Sequence, residues 1–222
     1  MSDAEPGIRR RRPRERVLAL VTALLDETLI RVGNEEYAVD NRTYGLTTLT
    51  CKHVRLGSGR VVFDFVGKGG ADQSIAVADR RLTRLVRRCH ELGGKKLFTY
   101  VDADDAEIEI TSADVNDYLR EQTGLPVSAK DFRTWGATAL VVKELAEREP
   151  DDDARRRDAA ILGAIAAAAE MLGNTRTVCR SSYVHPRVPA AYEDGTLAEE
   201  WRRVRRSARL ERSERAVLAL LA

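Results

Sequence analysis

Tyr183, in Arg180-Ser181-Ser182-Tyr183-Val184-His185-Pro186, stands nine residues after Asn174 in the turn Gly173-Asn174. Three other pieces lie upstream in order. They are Arg31 in Ile30-Arg31-Val32-Gly33, Lys68 in Phe65-Val66-Gly67-Lys68-Gly69, and Arg133 in Lys130-Asp131-Phe132-Arg133-Thr134-Trp135-Gly136. Two arginines, a lysine, a small amide and a phenol are the parts needed to break and remake a phosphodiester without metal or nucleotide. A phenol is a weak nucleophile, with a free pKa of about 10. The phosphorus is shielded by negative oxygens, so catalysis rests on neutralising charge there and on protonating the departing alkoxide. Arginine suits the first task because its planar fork binds phosphate bidentately and stays charged. Lysine suits the second because desolvation lowers its pKa. A covalent phosphotyrosine would store the bond energy, so religation would need no ATP.

Taken singly, each residue has a plainer reading. Arg31 before Gly33 fits a structural arginine at a turn, and Lys68 in a glycine-rich turn fits a solvated lysine. Gly67-Lys68-Gly69-Gly70 hints at a phosphate loop but lacks the spacing of a nucleotide-binding one and lies between strands. The pattern puts Arg133 in the first turn of a helix, against the dipole, so a carboxylate or an anionic ligand is expected beside it. Tyr183 reads as an amphipathic boundary residue and His185 as a cap or surface residue. Cys179 is not read as a nucleophile.

These residues must be positioned by elements that the sequence outlines. At 222 residues the chain is long enough to bury a sizeable core. The net charge of +2 hides a local asymmetry, because residues 8–16 and 201–206 are arginine-rich while 101–109 and 147–153 are acidic. Local basic surface is what draws polyanions. Residues 1–15 read as a disordered basic arm or linker, and 16–222 as one catalytic domain. Val17 to Leu25 reads as a helix, Thr28 to Val32 as extended, and Asn34 to Tyr37 as one helical turn. A period of two over 53–77, broken at Gly57-Ser58-Gly59 and Gly67-Lys68-Gly69-Gly70, predicts a three-stranded antiparallel meander with Lys68 at a strand end. The rest reads as helical: 79–92, then 112–123 with Ser112 as N-cap, 130–148, 151–172, 175–183 and 211–221. The fold class is mainly α or α+β, a helical body with a small antiparallel sheet.

Three widely spaced cysteines give no disulfide framework, and no Cys/His cluster has zinc spacing. No metal and no cofactor are expected. The first residues lack the apolar core of a signal peptide, and no apolar run is long enough to span a bilayer. A soluble cytoplasmic protein is expected.

Together these segments resemble the catalytic domain of type IB DNA topoisomerases, specifically the small bacterial enzymes related to the poxvirus ones. The densest likeness is Leu29-Ile30-Arg31-Val32-Gly33-Asn34-Glu35-Glu36-Tyr37-Ala38, continuing through Asn41-Arg42-Thr43-Tyr44-Gly45-Leu46-Thr47-Thr48-Leu49 and His53-Val54. The segments around Lys68, Arg133 and Tyr183 follow in the family's order, and the likeness covers about residues 16 to 195. It implies Tyr183 as nucleophile, Arg31 and Arg133 as phosphate-binding arginines, and Lys68 as the general acid for the 5′ oxygen. Asn174 stands where poxvirus and eukaryotic relatives carry histidine and bacterial members commonly carry asparagine. Lys130, Tyr37, Asn41, Thr48 and Ser112 are the further residues expected at DNA.

The resemblance also implies a monomer acting on double-stranded DNA at the nucleoid, with no nucleotide cofactor and no membrane. Relatives of this kind carry an N-terminal, mostly β domain that closes around DNA. With only about 15 residues ahead of the first helix, that domain is expected to be absent, with weaker, salt-sensitive binding and distributive relaxation as the consequence. Two other readings share the fold: a tyrosine recombinase, and a DNA-binding module without activity. Recombinases usually place histidine three residues before the second arginine, and Lys130 stands there.

Overall fold

The computed structural model describes residues 14–148 and 150–222. The basic arm expected over residues 1–15 therefore lies outside the described residues up to residue 13. Arg14 already belongs to a helix. Backbone packing divides the chain into two compact units, the first through Lys130 and the second from Asp131 to Ala222.

The first unit is built around α1 (Arg14–Thr28), which buries Val17, Leu18, Leu20, Val21, Leu24 and Leu25. That stripe at helical spacing packs against later elements of the unit, chiefly α3 (Arg80–His90), β4 (Thr99–Val101) and α4 (Ser112–Thr123). An Arg14–Asp114 ion pair at 2.8 Å fastens its start to α4. The expected single turn after Gly33 is a two-turn helix, α2 (Glu35–Asn41), with Asn34 as N-cap accepting from Glu36 N at 2.8 Å. It buries no residue, so local caps and tethers rather than packing must hold it.

The meander forms as expected. Strands β1 (Val54–Leu56), β2 (Val61–Val66) and β3 (Asp72–Val77) pair antiparallel, with Val54 opposite Phe63, Phe63 opposite Ile75 and Val66 opposite Asp72. Val61, Phe63 and Phe65 are buried, while Val62, Asp64 and Val66 face the other way. On that outer face Asp64 pairs with Arg55 at 2.5 Å and accepts from Ser74 at 2.7 Å, which lowers the Asp64 pKa.

A second hairpin, β4 paired with β5 (Glu107–Glu109), was not anticipated. Its strands are three residues each, too short to show a period, and the acidic stretch between them reads as loop. Leu97 N donates to Leu49 O at 2.8 Å and Ile110 N to Phe98 O at 3.1 Å, which stitches the hairpin onto a buried Leu97–Phe98 pair. The cap of α4 is Thr111, not Ser112. Thr111 Oγ1 accepts from Asp114 N while the Asp114 carboxylate accepts from Thr111 N, a reciprocal box that Ser112, as first helical residue, cannot make.

The second unit is helical. Helix α5 (Ala129–Ala146) is followed by α6 (Ala154–Leu172), capped by Asp153 rather than started at Asp151, and by α7 (Arg176–Ser182) between caps Thr175 and Tyr183. Helices α8 (Arg187–Glu193) and α9 (Thr196–Arg203) were not expected, because Pro186 and Pro189 read as breaks. Pro186 is the N-cap of α8 and Pro189 its third residue, where the backbone N–H would have no intrahelical acceptor, so neither proline costs a hydrogen bond. Helix α10 (Arg212–Leu221) closes against α8 and α9. Ile161, Ala164, Ile165, Ala168, Ala169 and Leu172 of α6 are buried, as are Val141, Val142 and Leu145 of α5. Among the described residues no helix is long and apolar enough to cross a membrane.

Candidate active site

The expected site residues fall into two groups, one in each unit. In the first unit Arg31 lies half-buried in the segment between α1 and α2, next in sequence to buried Ile30. Its main chain is tied to the loop that follows α2. Leu46 N donates to Arg31 O at 2.9 Å, and Thr47 donates to Val32 O through both N, at 2.7 Å, and Oγ1, at 2.9 Å. The two segments approach closely because both glycines lack Cβ. A Cβ on Gly45 would lie 2.5 Å from Arg31 O and 2.6 Å from Gly33 Cα, and Gly33 itself has φ +103°. Thr48 is buried, and its hydroxyl both accepts from Gly45 N and donates to Gly45 O. The structure thus commits the Thr48 hydroxyl to shaping this loop.

The same loop reaches the lysine. Tyr44 N donates to Val66 O, at the end of β2, at 2.8 Å. Residues 31–32, 44–47 and 66 are therefore linked by successive main-chain hydrogen bonds. Lys68 stands exposed in the turn from β2 to β3, closed by Gly67 N donating to Ala71 O at 2.7 Å, with Gly69 at φ +80° and Gly70 at φ +77°. The structure thus brings Arg31 and the Lys68 turn to one edge of the first unit. Beside the turn is a hollow of about 450 Å³ lined by Tyr44, His53, Asp64 and Gln73, among others. The His53 ring lies 4.3 Å from that of Tyr44, its Nδ1 accepts from Thr50 N at 3.0 Å, and burial lowers its pKa.

Lys96 is a further residue that sequence reading missed. It is buried and ion-paired to Glu35, in the first turn of α2, and to Glu109 of β5 at 2.8 Å. It supplies a tether for a helix that buries nothing. Its neighbours Lys95 and Gly94 carry no periodic signal, so nothing in the sequence marks it. Tyr37 and Asn41 lie exposed on α2, Ser112 is half-buried at the start of α4, and Lys130 is exposed in the first turn of α5.

In the second unit the structure brings Arg133 and Tyr183 together. Arg133 sits in the second turn of α5, not the first, because the helix begins at Ala129. Its side chain is buried, and its guanidinium carbon lies 5.3 Å from the centre of the Tyr183 ring, within cation–π range. One of its partners is a main-chain carbonyl. An Arg133 Nη donates to Leu172 O at 2.8 Å. Leu172 ends α6, so its carbonyl lacks an intrahelical donor and belongs to the negative end of that helix dipole. Gly173 then turns the chain at φ +59°, and Asn174 N returns to Ala169 O at 2.8 Å, which places half-buried Asn174 two residues from the carbonyl that holds Arg133.

Tyr183 caps the C-terminus of α7, with its N donating to Cys179 O at 3.0 Å. Thr138 of α5 staples this end: its hydroxyl donates to Tyr183 O at 3.1 Å and accepts from His185 N at 3.2 Å. No sequence signal marks Thr138, one threonine on a largely apolar helix face. Burial pushes the Cys179 thiol pKa up, opposed by the charge of Arg133, so the thiol stays protonated packing. His185 Nδ1 accepts from Arg187 N at 3.2 Å and so caps α8. Among the described residues no group of three or more His, Cys, Asp or Glu could hold a metal ion.

The family profile described as eukaryotic DNA topoisomerase I, catalytic core, matches residues 2–207. Similar proteins include DNA topoisomerase 1B of Acanthamoeba polyphaga mimivirus, 29% identical over 178 residues, which are 77% of this chain and 53% of that protein. DNA topoisomerase 1 alpha and 1 beta of Arabidopsis thaliana are each 27% identical over 75% of this chain and 18% of their own length. The chain belongs to the type IB topoisomerase family, in the part that is its catalytic core. It spans about half the length of the mimivirus relative and less than a fifth of the plant ones.

Proposed function

We propose that this chain relaxes supercoiled double-stranded DNA by transient cleavage of one strand, with Tyr183 as nucleophile. The observation that carries the reading is the buried Arg133 guanidinium set 5.3 Å from the Tyr183 ring, at the end of α6 where Asn174 also lies. A phosphate approaching the phenol meets an arginine already held by a main-chain carbonyl, so little reorganisation is needed as charge develops.

In the proposed cycle Tyr183 Oη attacks phosphorus, the bond from phosphorus to the 5′ oxygen breaks, and a 3′-phosphotyrosyl bond forms. Lys68 gives its proton to the departing 5′ oxygen, and the phenolic proton passes to water. Arg31 and Arg133 hold the non-bridging oxygens, and Asn174 adds one hydrogen bond to them. The nicked strand turns about the intact one. The 5′ hydroxyl then attacks phosphorus and gives its proton back to Lys68, while the bond from phosphorus to Tyr183 Oη breaks and the leaving phenolate takes a proton from water. One phosphodiester is exchanged for another, so neither ATP nor a metal is needed. Lys130, Tyr37 and Asn41 are exposed and fit contacts to the duplex backbone.

The chain is proposed to act as a monomer and in the cytoplasm. Incubation with supercoiled plasmid, beside a strand-exchange substrate, tests the reading. Relaxation of both signs of supercoil supports it. Strand exchange without relaxation contradicts it in favour of a recombinase, and binding without either reaction contradicts it in favour of a DNA-binding module.

A further inference from the structure

Helix α3 carries arginine at positions 80, 81, 84, 87 and 88. Thr83, Val86 and Cys89 are its buried stripe, and Arg80, Arg81, Arg84 and Arg88 are exposed. No ion pair among the described residues involves any of them. Arg87 is tied to the turn between β1 and β2, donating to Gly57 O at 2.9 Å. The stem of Arg80 lies over Gly59 of that turn, where an added Cβ would meet Arg80 Cγ at 3.0 Å. Arg60, also exposed, leaves the same turn. The turn and the helix thus form one basic surface.

The surface is held against the helix's own preferences. Arg80 and Arg84, Arg84 and Arg88, Arg81 and Arg84, and Arg84 and Arg87 are like-charge neighbours one turn apart, which destabilises a helix. Arg80 and Arg81 also occupy the first turn, where the dipole favours anions. A polyanion laid across the face relieves both penalties, and arginine suits phosphate in particular. The position separates this face from the catalytic edge. β3 runs from Asp72, beside the Lys68 turn, to Val77, and α3 begins three residues later. Its ends stand roughly 17 Å apart at about 3.4 Å per residue. A duplex presents about ten phosphate charges over that length.

We propose that α3, with Arg60, is a second contact surface for the phosphate backbone of double-stranded DNA, remote from the scissile phosphate. The proposal rests on the reading of the chain as a DNA-cleaving enzyme. It adds contacts that set affinity and salt dependence but take no part in the chemistry.

The test compares the full chain with Arg81→Ala/Arg84→Ala/Arg88→Ala and with the same three positions changed to Lys. Binding to labelled duplex is followed by fluorescence anisotropy over a range of salt. Each phosphate that is no longer neutralised takes about 0.9 from the slope of log affinity against log salt, so the alanine triple should flatten it by up to about 2.7. Its affinity at low salt should fall at least tenfold. The lysine triple should keep most of the slope, and the rate of tyrosyl adduct formation at saturating protein should stay within twofold of wild type for both. An unchanged slope overturns the proposal, as does an equal loss in the lysine triple. A loss of binding to phosphatidylserine vesicles with duplex binding intact overturns it in favour of a membrane surface. A wild-type slope steeper on a long duplex than on one confined to the cleavage site assigns the contact to the cleaved duplex. Energy transfer between two separately labelled duplexes assigns it to a second one. A wild-type chain that forms no adduct sinks the catalytic reading, whereas an unchanged slope in a chain that forms it sinks this surface alone.

Discussion

Gly45→Ala should cripple cleavage without touching any group that meets DNA. The backbone at Gly45, φ −146° and ψ −179°, is open to any residue, so alanine brings no conformational strain. Its Cβ, however, would lie 2.5 Å from Arg31 O and 2.6 Å from Gly33 N. Ordinary contacts between such atoms are about 3.5 Å or more. One side must give by about 1 Å, and both sides are main chain, with no flexible side chain to absorb the shift. Leu46 N to Arg31 O and Thr47 N to Val32 O couple the segments, so the displacement passes to Arg31. A 1 Å error in a phosphate-binding group costs on the order of 100-fold in rate. Overpacking of this kind costs about 1–3 kcal/mol in stability. The assay is single-turnover cleavage of a duplex by wild type, Gly45→Ala, Arg31→Ala and the double variant, with thermal melting alongside. Gly45→Ala should melt cooperatively at a lower Tm and cleave about 100-fold more slowly. The double variant should be no slower than Arg31→Ala, because both act through one side chain. A Gly45→Ala rate within threefold of wild type, or additive losses in the double variant, would refute the coupling of this loop to Arg31.

The remaining expectations concern the acid, the staple, the tether and the metal. Lys68→Ala should slow cleavage of an ordinary 5′-oxygen substrate strongly and a 5′-bridging sulfur substrate little, since a thiolate leaves without a proton; equal slowing on both removes Lys68 from the acid role. Thr138→Val leaves Tyr183 O and His185 N without their partner, so about 1–3 kcal/mol of stability should go, with slower adduct formation, and Thr138→Ser should restore both. Burial pushes the Lys96 pKa down, but Glu109 and Glu35 outweigh it and hold it above the ordinary value. The stabilisation is therefore fully present below the unfolded pKa of about 10.4 and lost as pH rises through the folded one. The Tm gap between wild type and Lys96→Met should be steady from neutral pH upward and close only above that range. Relaxation should persist in chelator without ATP; strict dependence on magnesium would remove the metal-free mechanism.

The parts of the molecule that were legible in the sequence are those with a period or a punctuation mark. The meander shows because Val61, Phe63 and Phe65 alternate with Val62, Asp64 and Val66 between two glycine turns, and α1 shows because its apolar residues recur every turn. The hairpin of β4 and β5 does not show, since three residues cannot display an alternation. Helices α8 and α9 were hidden by prolines that sit where their missing N–H groups do no harm. For the site, residue type and order pointed to Arg31, Lys68, Arg133, Asn174 and Tyr183. What positions them was invisible, because it is contact between distant segments: Gly45 against Arg31 O, Leu172 O on Arg133, and Thr138 on Tyr183. The Thr48 hydroxyl, in the same segment, bonds Gly45 N and Gly45 O, a local contact that its sequence position does not announce.

The central claim is that Tyr183 makes the covalent bond, and trapping that bond tests it most directly. Wild type and Tyr183→Phe are each incubated with an end-labelled duplex, denatured and resolved on a gel, and the adduct is digested to find the attached residue. The phenolic oxygen is all that the substitution removes, so non-covalent binding should be nearly equal in the two. Wild type should yield an adduct linked to the 3′ end of the cleaved strand through Tyr183, and the Phe variant none. An adduct from the Phe variant, or a linkage at Tyr37 or Tyr44 in the wild type, would contradict the account.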